Sequence, residues 1–455
     1  MIASPILLSA IAAFGAILTL PIRRWTRLVV PITAAISLLM GYLAWQSQTG
    51  SVSFWIGQFE LTNTVTLIGR PLELAGWELQ LIAVLSVAGV AAILVAGWTR
   101  PGDVFFPGIL AILSTTSISL AFETLAFKVM LVEIVFVLTT MLLQGSKYGS
   151  VTGAWRFFVF HTLALPFLLI AAWHIDLFQF NPTQPDILEP AVILLSVGFL
   201  VYAASVPFHS WIVSVTKTAA AATQLIAFFF VPSLLIAVML SAMNQYGWYG
   251  QSDLPYQWFT FLGIVTTALG GLLILSGRSV ARIVAYSLII DAGSVMMLMG
   301  TNSRLGHIGI WSQLLMRFVS LIFIVIGDHI SNERRHIDIA PSRLSHILVT
   351  IGMLSLLGFP LTPGFSARWF SLGALGRVNL PSALTLLAAS AIGWIVVIAN
   401  SLKSFHKAHE EDKTRTQLTL GNRISIYVFV AANVVLALVP TPLLDVARKI
   451  ALGIW

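Results

Sequence analysis

The run Leu125-Ala126-Phe127-Lys128-Val129-Met130-Leu131-Val132-Glu133-Ile134-Val135-Phe136-Val137-Leu138-Thr139-Thr140-Met141-Leu142-Leu143-Gln144 decides the fold class. A helix rises about 1.5 Å per residue, so a stretch of this length crosses the roughly 30 Å hydrocarbon layer of a bilayer. It carries Lys128 and Glu133 between apolar neighbours. Translocon scales put such groups at about 2.5–3.5 kcal/mol each at mid-helix, so they point to function by default.

Outward from this run, the pattern repeats. Apolar stretches of spanning length fall at 3–21, 28–46, 79–98, 104–122, 125–144, 157–174, 190–206, 219–242, 257–276, 283–301, 308–327, 345–376, 381–402 and 424–444. The reading is an all-α polytopic membrane protein of about 14 spans. Across 455 residues, 58% are hydrophobic, 9% are charged and mean hydropathy is +0.92. A soluble domain has about a quarter of its residues charged, so this chain cannot cover a water-facing surface. Residues 1–455 form a single integral membrane domain. The region from Gln46 to Glu78 alternates polar and apolar residues, as in Ser51-Val52-Ser53-Phe54, and predicts a short extracytoplasmic hairpin. Asn332–Ser342 and Lys403–Gly421 are expected as cytoplasmic loops. Glu410-Glu411-Asp412 in the latter is expected as a solvated surface.

Charge placement sets the orientation. Seventeen basic residues, among them Arg23, Arg24, Arg27, Lys147, Arg335, Lys403 and Lys413, fall on one side of the alternating spans; five (Arg70, Arg304, Arg377, Arg448, Lys449) fall on the other. The positive-inside rule makes the richer side cytoplasmic and puts both termini outside. The expected location is the prokaryotic plasma membrane. Trp25, Trp45, Trp98, Trp173 and Trp258 sit at span ends and fit either an aromatic belt or ordinary packing. The apolar N-terminus lacks a basic leader and a small-residue cleavage site, so it is expected as a retained helix.

Cysteine is absent, which excludes thiolate metal sites, cysteine-ligated iron–sulfur clusters and thiol catalysis. There is no nucleotide, flavin or quinone motif and no basic stripe with interleaved aromatics. Neither a cofactor, a catalytic site of the chain's own, nor nucleic acid is expected.

The intramembrane ionisable residues are Lys128 and Glu133, His161 in the sixth span, Asp291 in the tenth, Arg317 in the eleventh and Arg368 in the twelfth. Five residues separate Lys128 from Glu133, about 140° around the helix, so each is expected to meet a different neighbour. Glu133 is a path acid, an acid that stays protonated, or one that pairs with Lys128 to lock helices together. His161 is a structural hydrogen-bonder or a proton relay, and Asp291 with Arg317 is an interhelical pair or part of a path. Two interruptions accompany them. One is Ser205-Val206-Pro207-Phe208-His209-Ser210-Trp211, at the cytoplasmic end of the seventh span. The other is Gly358-Phe359-Pro360-Leu361-Thr362-Pro363-Gly364-Phe365, inside the twelfth. Broken helices five spans apart suggest two related repeats around an ion path.

Pro207-Phe208-His209-Ser210-Trp211 resembles the P-[LF]-H-x-W-L element of the antiporter-like subunits of respiratory complex I, Mrp-type cation/proton antiporters and energy-converting hydrogenases. Arg282 to Ser287, followed by Ala292-Gly293, resembles their K-R-L-x-A-Y-S-S element. Gly358 to Arg368 resembles G-[IF]-P-x-x-x-G-F-x-x-K, and Glu133 matches the acid of their fifth span. The four matches come in the family's order over roughly residues 100–400. The resemblance implies two inverted five-helix repeats, at 104–242 and 257–402, with broken helices 7 and 12. Spans one to three (1–98) would precede them and a last helix (424–444) would follow. It implies a proton or cation path in which Glu133 opens the line of charges and Arg368 closes it, with other membrane subunits as partners. Tyr202 stands where the family has a helix-seven lysine and Ser233 near its helix-eight lysine, so the first half-channel is expected to be incomplete. It is also expected to be drier than the half where Asp291, Arg317 and Arg368 should cluster. Two further classes remain open: a non-pumping structural subunit, and a stand-alone secondary transporter.

Overall fold

The computed structural model describes residues 2–54, 57–67, 69–145, 150–181, 183–335, 343–411, 431, 435 and 438–454. Helices dominate: α1 (Ser4–Thr19), α2 (Thr26–Ser47), α3 (Gly76–Thr99), α4 (Phe105–Ala121), α5 (Leu125–Gln144), α6 (Val151–Thr162), α7 (Leu165–Phe180), α8 (Leu188–Tyr202), α9 (Ser210–Thr218) and α10 (Ala221–Leu225). A π turn (Ile226–Phe230) leads into α11 (Val231–Gln245). Then come α12 (Gly247–Gly250), α13 (Asp253–Ile274), α14 (Val280–Gly300), α15 (Arg304–Arg335), α16 (Arg343–Leu356), α17 (Gly364–Val378), α18 (Leu380–Glu411) and α19 (Thr441–Ile454). Among the described residues, nine helical segments are long and apolar enough to cross a membrane. The expected span 424–444 lies mostly outside the described residues.

Compactness divides the chain into two units: Met1–Ala204 with Thr218–Pro255 and Lys449–Trp455, and Ser205–Lys217 with Tyr256–Arg448. The break after α8 is where the chain passes from the first to the second. In the first unit, α10–α11 forms the inner element and is almost wholly buried, while α2 keeps most of its length exposed. In the second, α14 and the apolar part of α15 are the inner elements, and α13 and the apolar part of α18 are more exposed. Trp25, Trp45, Trp98 and Trp173 are exposed, as lipid-interface residues would be.

Prolines explain the discontinuities. Pro166 has no N–H and its ring opposes the carbonyl of Thr162, so the sixth span is two helices, α6 and α7, separated by Leu163 and Ala164. Pro232 has the same effect on Phe228, and the chain widens into the π turn just before it. The seventh-span interruption is longer than the sequence implied. α8 stops at Tyr202, Ala204 adopts a positive φ, Val206-Pro207 is cis, and a nine-residue helix, α9, then resumes.

Three expectations need correction. The Gln46–Glu78 region forms two hairpins, not one: β2 (Ser51–Phe54) with β3 (Gly57–Thr62), and β4 (Thr64–Leu67) with β5 (Arg70–Glu73). A short β1 (Ile2–Ala3) adds to β3 in parallel. The expected loops at Asn332–Ser342 and Lys403–Gly421 begin as helix, since α15 runs to Arg335 and α18 to Glu411. Bilayer thickness limits the apolar run, not the helix, and Lys, Ala and Glu are good helix formers. The apolar runs also leave out α19, whose buried face (Ala447, Ile450, Ala451, Ile454) follows helical spacing beside exposed Arg448, Lys449 and Leu452.

Candidate functional site: the buried charges of each unit

In the first unit, α5 presents two charges to different partners. Glu133 is half-buried, and Thr162 on α6 donates its hydroxyl to Glu133 Oε1. The proline break below Thr162 ends α6 beside this carboxylate. Its other oxygen, Oε2, is buried without a hydrogen-bond partner among the described residues. Lys128 is buried; its Nζ donates to Ser241 Oγ on α11 at 3.0 Å and stands 3.9 Å from Glu78 Oε1 on α3. Sequence reasoning missed Glu78, because it lies in the first turn of α3, just before the apolar run starts. Its Oε2 accepts from the Ala75 backbone N–H at 2.8 Å and so closes the helix N-terminus.

His161 is buried between Phe136 and Phe157, with ring centroids 4.8 and 4.2 Å away. Its Nδ1 lies 2.7 Å from the Phe157 carbonyl. A carbonyl only accepts, so Nδ1 carries the proton in this arrangement. Phe136 also meets Tyr202 edge-on at 5.5 Å. Tyr202 and Ser233, at the expected lysine positions, are both buried, and their hydroxyls have no hydrogen-bond partner among the described residues.

The second unit is built differently. Asp291 on α14 sits between two arginines: Arg317 Nε on α15 at 2.6 Å and Arg368 Nη2 on α17 at 3.2 Å. All three are buried. Arg368 also donates to Ser294 Oγ at 3.1 Å and to the Leu356 carbonyl at 3.0 Å. Ser294 Oγ lies 2.6 Å from Gln313 Oε1, and Gln313 Nε2 donates to Ser371 Oγ at 2.6 Å. Gln313, Ser294 and Ser371 escaped the sequence reading because uncharged polar residues are common in spans and single out no site.

The interruption between α16 and α17 makes this geometry possible. Gly358 has φ +69°, and a Cβ there would overlap the Arg368 side chain. At Gly364 a Cβ would overlap the Ser355 carbonyl, and the Gly364 N–H donates to Ser355 Oγ at 3.0 Å. Two glycines thus let the backbone close around the guanidinium. Pro360 is exposed and Pro363 buried, and neither has an N–H to leave unsatisfied. A cavity of about 10 Å³, room for about one water, is lined by Asp291, Gln313, Arg317, Ser355 and Arg368 among others. Pro207 and His209 belong to the other interruption, where His209 is half-buried and its Nδ1 has no hydrogen-bond partner among the described residues. Among the described residues there is no cluster that could hold a metal ion.

Apolar helices of spanning length, two of them interrupted at proline-bearing loops, with ion pairs buried inside, define a polytopic integral membrane protein. Residues 125–393 match the model of the NADH:quinone oxidoreductase/Mrp antiporter transmembrane family, and the chain belongs to that family. NADH-quinone oxidoreductase subunit N 2 of Acidobacterium capsulatum is 25% identical, over 91% of this chain and 87% of its own length. The fold is shared with a chain of the membrane-bound sulfane sulfur reductase, an archaeal respiratory membrane complex, at TM-score 0.81 and 17% identity, covering 99% of this chain and 97% of that one. A chain of the Mrp complex from Dietzia follows at TM-score 0.71 and 14% identity, covering 98% and 96%. The protein is an antiporter-like membrane subunit of the type found in such complexes.

Proposed function

We propose that this subunit works inside a multi-subunit assembly, where chemistry on partner subunits drives proton or monovalent-cation movement by shifting charge among its buried groups. The observation that carries this reading is Glu133: a half-buried carboxylate at mid-span with one oxygen held by Thr162 and the other unpartnered. A carboxylate so placed can take up and release a proton at modest cost, whereas a saturated one cannot. Each elementary charge moved across the membrane corresponds to about 2.3 kcal/mol per 100 mV. Lys128 supplies the second exchangeable group of the first unit. His161, its Nδ1 held by the Phe157 carbonyl, is the remaining titratable group beside them.

In the second unit, Asp291 is held by two guanidiniums, and arginine is a poor proton relay. This trio is a fixed counter-charge within its own unit. With Tyr202 and Ser233 in place of lysines, the first half-channel is incomplete in the family's sense. The saturation of the second unit favours one other reading, a scaffold that does not pump.

Glu133→Gln keeps the side-chain shape and removes the exchangeable proton. The expected result is an assembled complex whose coupled translocation in proteoliposomes falls about tenfold, conservative against the ~10²–10⁴-fold effect of losing a positioned proton-transfer group. Unchanged coupling in an assembled complex would establish the scaffold reading.

The proposed orientation places both termini outside the prokaryotic plasma membrane. It is supported by the excess of Lys and Arg on one side of the spans. Reporter tags inserted at Lys413, outside the described residues, and fused after Trp455 should report opposite compartments; the same compartment for both would overturn it.

A further inference from the structure

In the proton path just proposed, Glu133 has no cation beside it among the described residues, and Tyr202 occupies the position of the expected lysine. The lysine of the same helix has found another acid. Lys128 lies five residues before Glu133, a rise of about 7.5 Å along α5. It is buried against Glu78 of α3 and Ser241 of α11. Three features separate this contact from a simple structural clamp. At 3.9 Å the Nζ–Oε1 separation is too long for a hydrogen bond, and the ammonium is anchored instead by a neutral hydroxyl. The Ala75 N–H fixes Glu78 Oε2, which leaves Oε1 turned to the lysine. The pair also lies at the α3 and α5 ends that meet the strand region, where Leu72 of β5 pairs with Phe122. There Glu73 and Glu123 are exposed, their charges are felt at Glu78, and Arg70 covers the ring of Phe127 at 5.8 Å.

We propose that Glu78 and Lys128 are the proton-exchanging pair of the first unit, opening to water through Glu73 and Glu123 on the face that carries β4 and β5. In the exchange an N–H bond of the Lys128 ammonium breaks, its electron pair stays on Nζ, and the proton bonds to Glu78 Oε1. An ion pair becomes a neutral amine and a neutral acid. Burying each ion costs several kcal/mol, so mutual neutralisation is accessible inside the bundle. The carboxylic acid then releases its proton toward Glu73 and Glu123, and Lys128 is recharged from the Glu133 side. The path of the first unit therefore runs along α5 toward the strand-bearing end. Glu78, and not Glu133, is the acid that partners the lysine of α5.

The inference rests on the proton-path reading, and the test separates the two. Coupled translocation is measured in proteoliposomes containing the purified assembly, with the protonated-carboxyl infrared band of the same samples compared in H2O and D2O. Glu78→Gln should lower translocation about tenfold, to the level of Glu133→Gln, and remove a D2O-sensitive carboxyl band that Glu133→Gln retains. If Glu133→Gln lowers translocation and Glu78→Gln does not, the pair is no part of the path and the general reading survives. If neither does, both fall. Should Glu78→Gln fail to assemble, Glu78→Gln/Lys128→Met removes both charges together. An assembled double variant without translocation supports the exchange, and one with normal translocation makes the pair structural. A wild-type spectrum with no band attributable to Glu78 also overturns the proposal.

Discussion

The two units bury charge in opposite ways. In the first, Glu133 has one hydrogen-bond donor and Lys128 stands off from Glu78 at 3.9 Å. In the second, Asp291 is gripped at 2.6 and 3.2 Å by two arginines, one of which also binds Ser294 and the Leu356 carbonyl. Removing ions from water costs several kcal/mol per group in either place. The second unit offsets that cost with good geometry and gives up exchange, because arginine holds its proton at any physiological pH. The first unit leaves valences open and keeps lysine and glutamate, whose protons can move. Looseness and titratability occur together, and so do saturation and permanence.

The sharpest way to break this contrast is Asp291→Asn. It removes the carboxylate charge that lies against both Arg317 and Arg368 and leaves two buried positive charges less compensated, a loss of about 3–5 kcal/mol. The expected outcome is a chain that fails to accumulate or to survive detergent extraction, read by size-exclusion profile and thermal midpoint. An unchanged midpoint would mean that the trio does not hold the unit together. Arg368→Ala should cost less, roughly 1–3 kcal/mol, because Asp291 keeps Arg317 and the remaining pair is neutral overall. A larger loss than for Asp291→Asn would show that the fork to Ser294 and Leu356 matters more than charge balance. The smallest effect is expected for Tyr202→Phe. It deletes a hydroxyl that has no hydrogen-bond partner among the described residues, so stability should stay within about 0.5 kcal/mol and translocation should be unchanged. Translocation lost in this variant would reroute the first unit's path through Tyr202.

Much of this was legible in the sequence, and the rest failed for identifiable reasons. Apolar run length located α2, α3, α5, α13 and α14 to within a few residues, because the bilayer imposes one length on every span. Asp291 and Arg317 could be paired on paper since they sit on consecutive spans and neither can remain alone in hydrocarbon. Their union with Arg368 was expected from the resemblance, which sets the broken twelfth helix beside a line of buried charges and leaves the first half without its lysines. Glu78 was invisible for the opposite reason: one residue outside an apolar run, a carboxylate reads as loop. The α19 helix was missed because its signal is periodicity on one face, not length. The second hairpin was missed because Thr64-Val65-Thr66-Leu67 reads as the continuation of a single polar–apolar alternation until the turn at Gly69, where φ is +71°.

The last turns of α19 have a consequence for how the protein is made. Lys449 lies 5.7 Å over the ring of Trp45, Gly453 packs against Trp77, and the side-chain amide of Asn244 donates to the carbonyl of Ile454. These contacts tie helices synthesised early to residues synthesised late, with the whole of Tyr256–Arg448 between them in the chain. The first unit therefore cannot close while it emerges from the ribosome. It waits, incompletely latched, until some two hundred further residues have been inserted.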